Sequence, residues 1–128
     1  MEIINSKLIG TGACIPDFVL TNAMLEQMVD TNDEWIVQRT GVRERRIAKN
    51  THTWELALGA AQDALADAGI TAEKLDLILV STCSPDTNTP NTASILQDKL
   101  GARQVGAFDI NNACTGFVSA TDIADSYI

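Results

Sequence analysis

Apolar patterns of strand and helix length alternate along this chain, and that alternation predicts an α/β fold with a layered, largely parallel sheet. Two stretches carry the prediction. Asp76–Thr82 (DLILVST) is a short continuous apolar run, the pattern of a strand covered on both faces. Residues 53–68 place Leu56, Ala60, Ala64 and Ala68 on one helical face, with Leu58, Ala61 and Leu65 beside it and Gly69 as a stop.

The remaining elements follow in order. Residues 2–9 (EIINSKLI) mix β-branched and polar residues and read as a first strand, ended by Gly10-Thr11-Gly12. Pro16 and Asp17 continue a loop. Thr21 can cap a short helix over 22–29, with Leu25, Met28 and Val29 on one face. Thr31 or Asn32 can cap the next helix, with Asp33 and Glu34 in its dipole-favoured first turn and Gly41 at its end. Val42–Ala48 reads as a short charged strand. The many alanines of residues 53–68 predict close packing against another layer. Pro85–Asn91 is a loop of turn formers. Thr92–Leu100 is a helix with Ile95, Leu96 and Leu100 inward and Gly101 at its end, and Val105–Ile110 is a strand. A last helical pattern runs through Phe117, Ala120, Ala124 and Tyr127. It breaks off at Ile128 with no stop residue, so the sequence reads as the N-terminal part of a longer protein.

Composition narrows the function classes. With 128 residues, 45% of them hydrophobic and 20% charged, the chain suits one ordinary domain or part of a larger one, and not a disordered segment. The longest apolar run, Leu77–Val80, is far short of the roughly 20 residues of a membrane span. The N-terminus has no basic region followed by an apolar one, so no signal peptide is read there. A net charge of −8 argues against general nucleic-acid binding. Yet Arg39, Arg43, Arg45, Arg46 and Lys49, five of the nine basic residues, are clustered. Cys14, Cys83 and Cys114 are widely spaced, which argues against a disulfide framework or a zinc site and for a reducing cytosol.

Cys114 is the first candidate for chemistry. It lies between a strand ending at Ile110 and a helix starting near Thr115. Unpaired backbone N–H groups and the positive end of a helix dipole there favour a nucleophilic sulfur, and Gly116 permits close approach. The competing reading is a small buried thiol. Cys83 follows a strand but opens a turn, and Cys14 sits in a Gly/Pro loop, so both read as non-catalytic. Gly10-Thr11-Gly12 lacks the third glycine of a dinucleotide fingerprint, and a plain tight turn fits better. Trp35 and Arg39, four residues apart on one helix face, would suit a nucleotide base and a phosphate. The alternative is a solvated face in which Glu34 and Glu44 pair with the arginines. His52, the only histidine, reads as a surface or capping residue before a helix.

Two blocks carry a resemblance. Val29-Asp30-Thr31-Asn32-Asp33-Glu34-Trp35-Ile36 with Arg39-Thr40-Gly41-Val42-Arg43-Glu44-Arg45 resembles the signature of the β-ketoacyl-acyl-carrier-protein synthase III family. Ala107-Phe108-Asp109-Ile110 and Ala113-Cys114-Thr115-Gly116-Phe117 resemble its nucleophile segment. Ile9–Gly12, Pro16, Thr21-Asn22 and Leu79–Thr82 with Pro85 and Pro90 fit in register.

The resemblance implies a thiolase-like fold of two similar α/β halves in five alternating layers, α/β/α/β/α. This chain would supply most of the N-terminal half, with the C-terminal half absent, and the full protein would be a homodimer. It implies Cys114 as the acyl-accepting nucleophile, its N–H as one oxyanion donor, Trp35 stacked on the CoA adenine, Arg39 at the CoA phosphate end and Thr31 close to the adenine. Acyl-CoA and malonyl-acyl carrier protein would be the substrates, with no metal or resident cofactor, in the cytoplasm. The family's His and Asn would lie beyond residue 128, so the isolated chain would not complete the condensation. Thr89 stands where many relatives carry a bulky aromatic, which implies a longer or branched acyl primer. The alternatives are a condensing enzyme of quinolone or polyketide synthesis, and a non-catalytic pairing subunit or fragment.

Overall fold

The computed structural model describes residues 6–128. They form two compact units, one from residues up to Cys14 together with His52–Ile128, the other from Ile15–Thr51.

In the smaller unit β1 (Val19–Thr21) leads directly into α1 (Asn22–Glu26), followed by α2 (Asp33–Thr40) and β2 (Glu44–Arg46). β1 and β2 pair antiparallel, with Leu20 opposite Arg45. The sequence reading has a strand over Val42–Ala48, which contains β2, but reads Thr21 only as a helix cap and assigns Val19 and Leu20 to no element. Three residues hold no period-2 pattern, and only the partner strand makes them a strand. Thr21 caps α1 as expected, its Oγ1 accepting from Met24 N–H at 3.3 Å. The helix ends at Glu26 and not at Val29, because the Met28 and Val29 N–H groups converge on Leu25 O at 2.9 Å and close it in a turn. Of the two candidate caps for α2, Asn32 serves: its Oδ1 accepts Trp35 N–H at 2.8 Å, and Gly41 ends the helix at φ 72°.

The larger unit is α3 (Thr53–Ala68), β3 (Leu77–Ser81), α4 (Thr92–Leu100), β4 (Gly106–Ile110) and α5 (Gly116–Ser126). β3 and β4 are parallel, Leu79 opposite Phe108. α3 and α4 match their expected bounds because both carry local stop signals, Gly69 and Gly101 at φ 66° and 74°. The core gathers Ile78, Ala93, Leu96 and Ala102, with Trp54, Ala57, Val80 and Ala107 packed around them. Along β3 the side chains alternate: Ile78 and Val80 join that core, while Leu77 and Leu79 share a cavity with Phe117, Ala120 and Ala124 of α5. The expectation that β3 is buried on both faces holds only for Ile78; its other apolar residues are half-buried.

Two further expectations change. Residues 2–5 of the expected first strand lie outside the described residues, and 6–9 are not in a strand. A strand exists by pairing, and an apolar cavity of about 560 Å³ borders residues 7–10 and β3. Gly10-Thr11-Gly12 is neither a tight turn nor a phosphate loop. Thr11 and Ala13 N–H groups donate to Asp67 and Asp63 of α3 at 2.9 and 3.1 Å. A Cβ on Gly12 would sit 2.2 Å from Ala60 O, so the glycine and the alanine stripe serve one close backbone approach.

Candidate active site

Cys114 lies in a single 3₁₀ turn, Ala113–Thr115, between the end of β4 and the start of α5. It is exposed among the described residues. The chain reverses sharply there: Ala113 takes φ 42°, a left-handed conformation uncommon for a residue with a Cβ. The turn is stitched locally. Thr115 N–H and Oγ1 both donate to Asn112 O, at 3.1 and 3.0 Å, and Asn112 Nδ2 donates to Ser119 Oγ at 2.6 Å. Gly116 opens α5 against the end of β3, where Ser81 Oγ occupies the space of any Cβ. Cys114 thus sits beside the carboxyl ends of two adjacent parallel strands and at the N-terminal end of a helix. That is where open α/β sheets bind ligands and where backbone N–H groups can meet developing negative charge.

The other strand-end loop is held from outside. Asp86 accepts N–H bonds from Thr53 and Trp54, each at 3.0 Å, and lies 3.2 Å from His52 Nδ1; Thr53 Oγ1 donates to Ser84 O at 3.1 Å. Partial burial opposes ionisation of Asp86, but the Trp54, Thr53 and His52 hydrogen bonds outweigh it and hold the carboxyl below the usual Asp range. Asp109 of β4 repeats the device on α4, accepting Thr92 and Ala93 N–H at 2.9 and 2.8 Å. Between these anchors Thr87, Asn88 and Thr89 are exposed. His52 stands at the N-cap position of α3, as expected.

In the smaller unit, the Arg39 guanidinium lies 5.3 Å from the centre of the Trp35 ring. Trp35 is 53% exposed. Among the described residues no carboxylate comes within ion-pair distance of Arg39, and the one Arg–Glu pair, Arg46–Glu44 at 3.9 Å, is exposed. The salt-bridged reading of this face therefore fails for Arg39. An accessible aromatic plane beside an unneutralised guanidinium remains, which suits a base and an anion. Thr31 is half-buried, immediately before the α2 cap. Sequence reasoning missed the two remote carboxylate anchors, Asp86 and Asp109. Their partners lie far off in sequence, and no local pattern announces them.

No family model matches the chain. It is 48% identical over 124 residues to the beta-ketoacyl-[acyl-carrier-protein] synthase III of Clostridium novyi, covering 97% of this chain and 38% of that protein. The crystal structure of 3-oxoacyl-[acyl-carrier-protein] synthase III from Aquifex aeolicus superposes with a TM-score of 0.94 at 50% identity, over 96% of this chain and 40% of that one. The priming β-ketosynthase of the R1128 polyketide pathway gives 0.91 at 34% identity, over 95% of this chain and 37% of that one. The fold is therefore that of the thiolase-like condensing enzymes. Among the described residues no helix is long and apolar enough to cross a membrane. Alike in sequence and in structure, the chain resembles the β-ketoacyl-acyl-carrier-protein synthases III, and it spans about two fifths of their length.

Proposed function

We propose that the protein containing this chain is an acyltransferase that condenses an acyl-CoA primer with malonyl-acyl carrier protein, the first step of fatty acid synthesis. The observation that carries the reading is the exposed Cys114 in its sharp turn before α5. Cys114 Sγ attacks the acyl carbonyl, the carbonyl oxygen gains negative charge beside backbone N–H groups, and CoA leaves as its thiol. The malonyl group then loses CO₂, and its carbanion attacks the enzyme thioester. The β-ketoacyl-acyl carrier protein departs, and the released sulfur regains a proton. Trp35 stacks on the CoA adenine, Arg39 meets its phosphate end and Thr31 lies close to the adenine. CoA is thus handled as part of a substrate and not as a resident cofactor. Thr89, small and exposed, leaves room for a longer or branched primer. A homodimer and a cytoplasmic location accord with the family and with three free cysteines.

Intact mass spectrometry of the full-length protein with a panel of acyl-CoAs tests this. An acyl adduct should map to Cys114 and vanish in Cys114→Ala. An adduct that survives Cys114→Ala would overturn the assignment. A second reading, priming of polyketide synthesis, draws on the R1128 enzyme. It has less behind it than the synthase reading, at 34% identity against 50%.

A further inference from the structure

We infer that Asn22 is a positioning residue for acyl-CoA recognition: a buried hydrogen-bonded hub on its side chain sets the direction of α2 and so of Trp35 and Arg39. The inference rests on the proposed reading of those two residues as the adenine and phosphate contacts.

Asn22 opens α1, yet it is only 2% exposed. A buried amide must have its polar atoms paired, and this one does. Its Nδ2 donates to Asp33 Oδ1 at 2.7 Å and to Val42 O at 2.9 Å, while its Oδ1 accepts from Arg45 Nη1 at 2.8 Å. One side chain thereby joins the first turn of α2, the residue just past the Gly41 cap, and strand β2. Glu26 Oε1 adds a bond to Asp33 N–H at 2.7 Å.

Why α2 needs this follows from its size. It has eight residues and buries only Ile36. Two helical turns are marginal alone, and one buried side chain does not fix a rotation about the helix axis. The hub grips the helix at both ends, at Asp33 and beyond Gly41. The aromatic plane lies on the accessible face between them, so its orientation depends on that grip and not on its own packing. The residue type is also specified. Two donors must face a carboxylate and a carbonyl while an acceptor faces a guanidinium. Asp lacks the donors and an aliphatic residue lacks both, so Asn alone among side chains of this length meets the set.

The test compares loading of Cys114 in the full-length enzyme from two donors of one acyl group: the acyl-CoA, and the acyl-pantetheine thioester, which lacks adenine and phosphates. Asn22→Asp sets a carboxylate against Asp33 and should lower the ratio of acyl-CoA to acyl-pantetheine loading about tenfold. The exchange Asn22→Asp/Asp33→Asn returns the donor–acceptor pair between positions 22 and 33 but not the bond to Val42 O, and should recover part of the ratio. Arg45→Met, acting from the partly exposed end of the hub, should lower it about threefold and decides the matter if Asn22→Asp does not fold. Trp35→Ala runs in parallel. If it lowers the ratio while the Asn22 and Arg45 variants do not, or while they slow both donors equally, the positioning role is wrong and the CoA reading stands. If Trp35→Ala leaves the ratio unchanged, the CoA reading fails and this inference with it.

Discussion

Ser81 Oγ stands where a side chain on Gly116 would begin: a Cβ built on that glycine lies 1.8 Å from the hydroxyl oxygen and 3.1 Å from Ser81 Cβ. The end of β3 and the first residue of α5 are thus in contact with nothing between them. Cys114, two residues before Gly116, inherits its position from that contact. Gly116→Ala should destabilise the full-length protein by about 1–3 kcal/mol in urea unfolding and slow acylation of Cys114. Adding Ser81→Gly should recover most of both losses. Full acylation by Gly116→Ala alone would show that the contact does not position the sulfur.

The Trp35–Arg39 pair predicts a kinetic split. Stacking and phosphate binding act equally in the ground state and the transition state. Trp35→Ala should therefore raise the KM for acyl-CoA about tenfold and leave kcat nearly unchanged. Steady-state kinetics of the full-length enzyme measures this. A fall in kcat at constant KM would place Trp35 at the reacting atoms instead.

Asp86 predicts a pH dependence with a definite sign. Its carboxyl is held below the ordinary value by N–H bonds at the start of α3. The stability it contributes is therefore complete above the usual Asp pKa of about 3.9 and is lost as pH falls through the lower folded-state value. Thermal melts of the wild type and Asp86→Asn should differ by a constant margin near neutrality and converge below about pH 4. A margin that widens on acidification would contradict the assignment.

Thr89 predicts a change in primer size. Thr89→Phe should shift loading of Cys114 toward shorter acyl-CoAs, read by competition between primers in one mass spectrum. An unchanged length profile would remove Thr89 from the acyl pocket.

Much of this was legible in the sequence, for a reason visible at α3 and α4. Their starts and stops are written within four residues of each end: Asn91 caps Ser94 N–H at 2.7 Å, Glu55 reaches back to His52 N–H at 2.7 Å, and Gly69 and Gly101 adopt the left-handed turn that ends each helix. Cys114 was legible on the same terms, as a thiol between a strand and a helix. The i to i+4 spacing of Trp35 and Arg39 likewise foretold that they share a face.

What depends on residues far apart in sequence was decided only by the tertiary structure. Val19–Thr21 is a strand because β2 lies beside it. Gly12 is required because α3 runs past it, and Asp86 and Asp109 are caps because distant helix ends point at them. Asn22 reads in sequence as an ordinary residue after a helix cap, and folding makes it the hub of the smaller unit. Capping, turn and periodicity signals act over a few bonds and are stored in neighbouring residues. A hydrogen bond across the fold is stored in none of them, because its partner is chosen only when the chain closes.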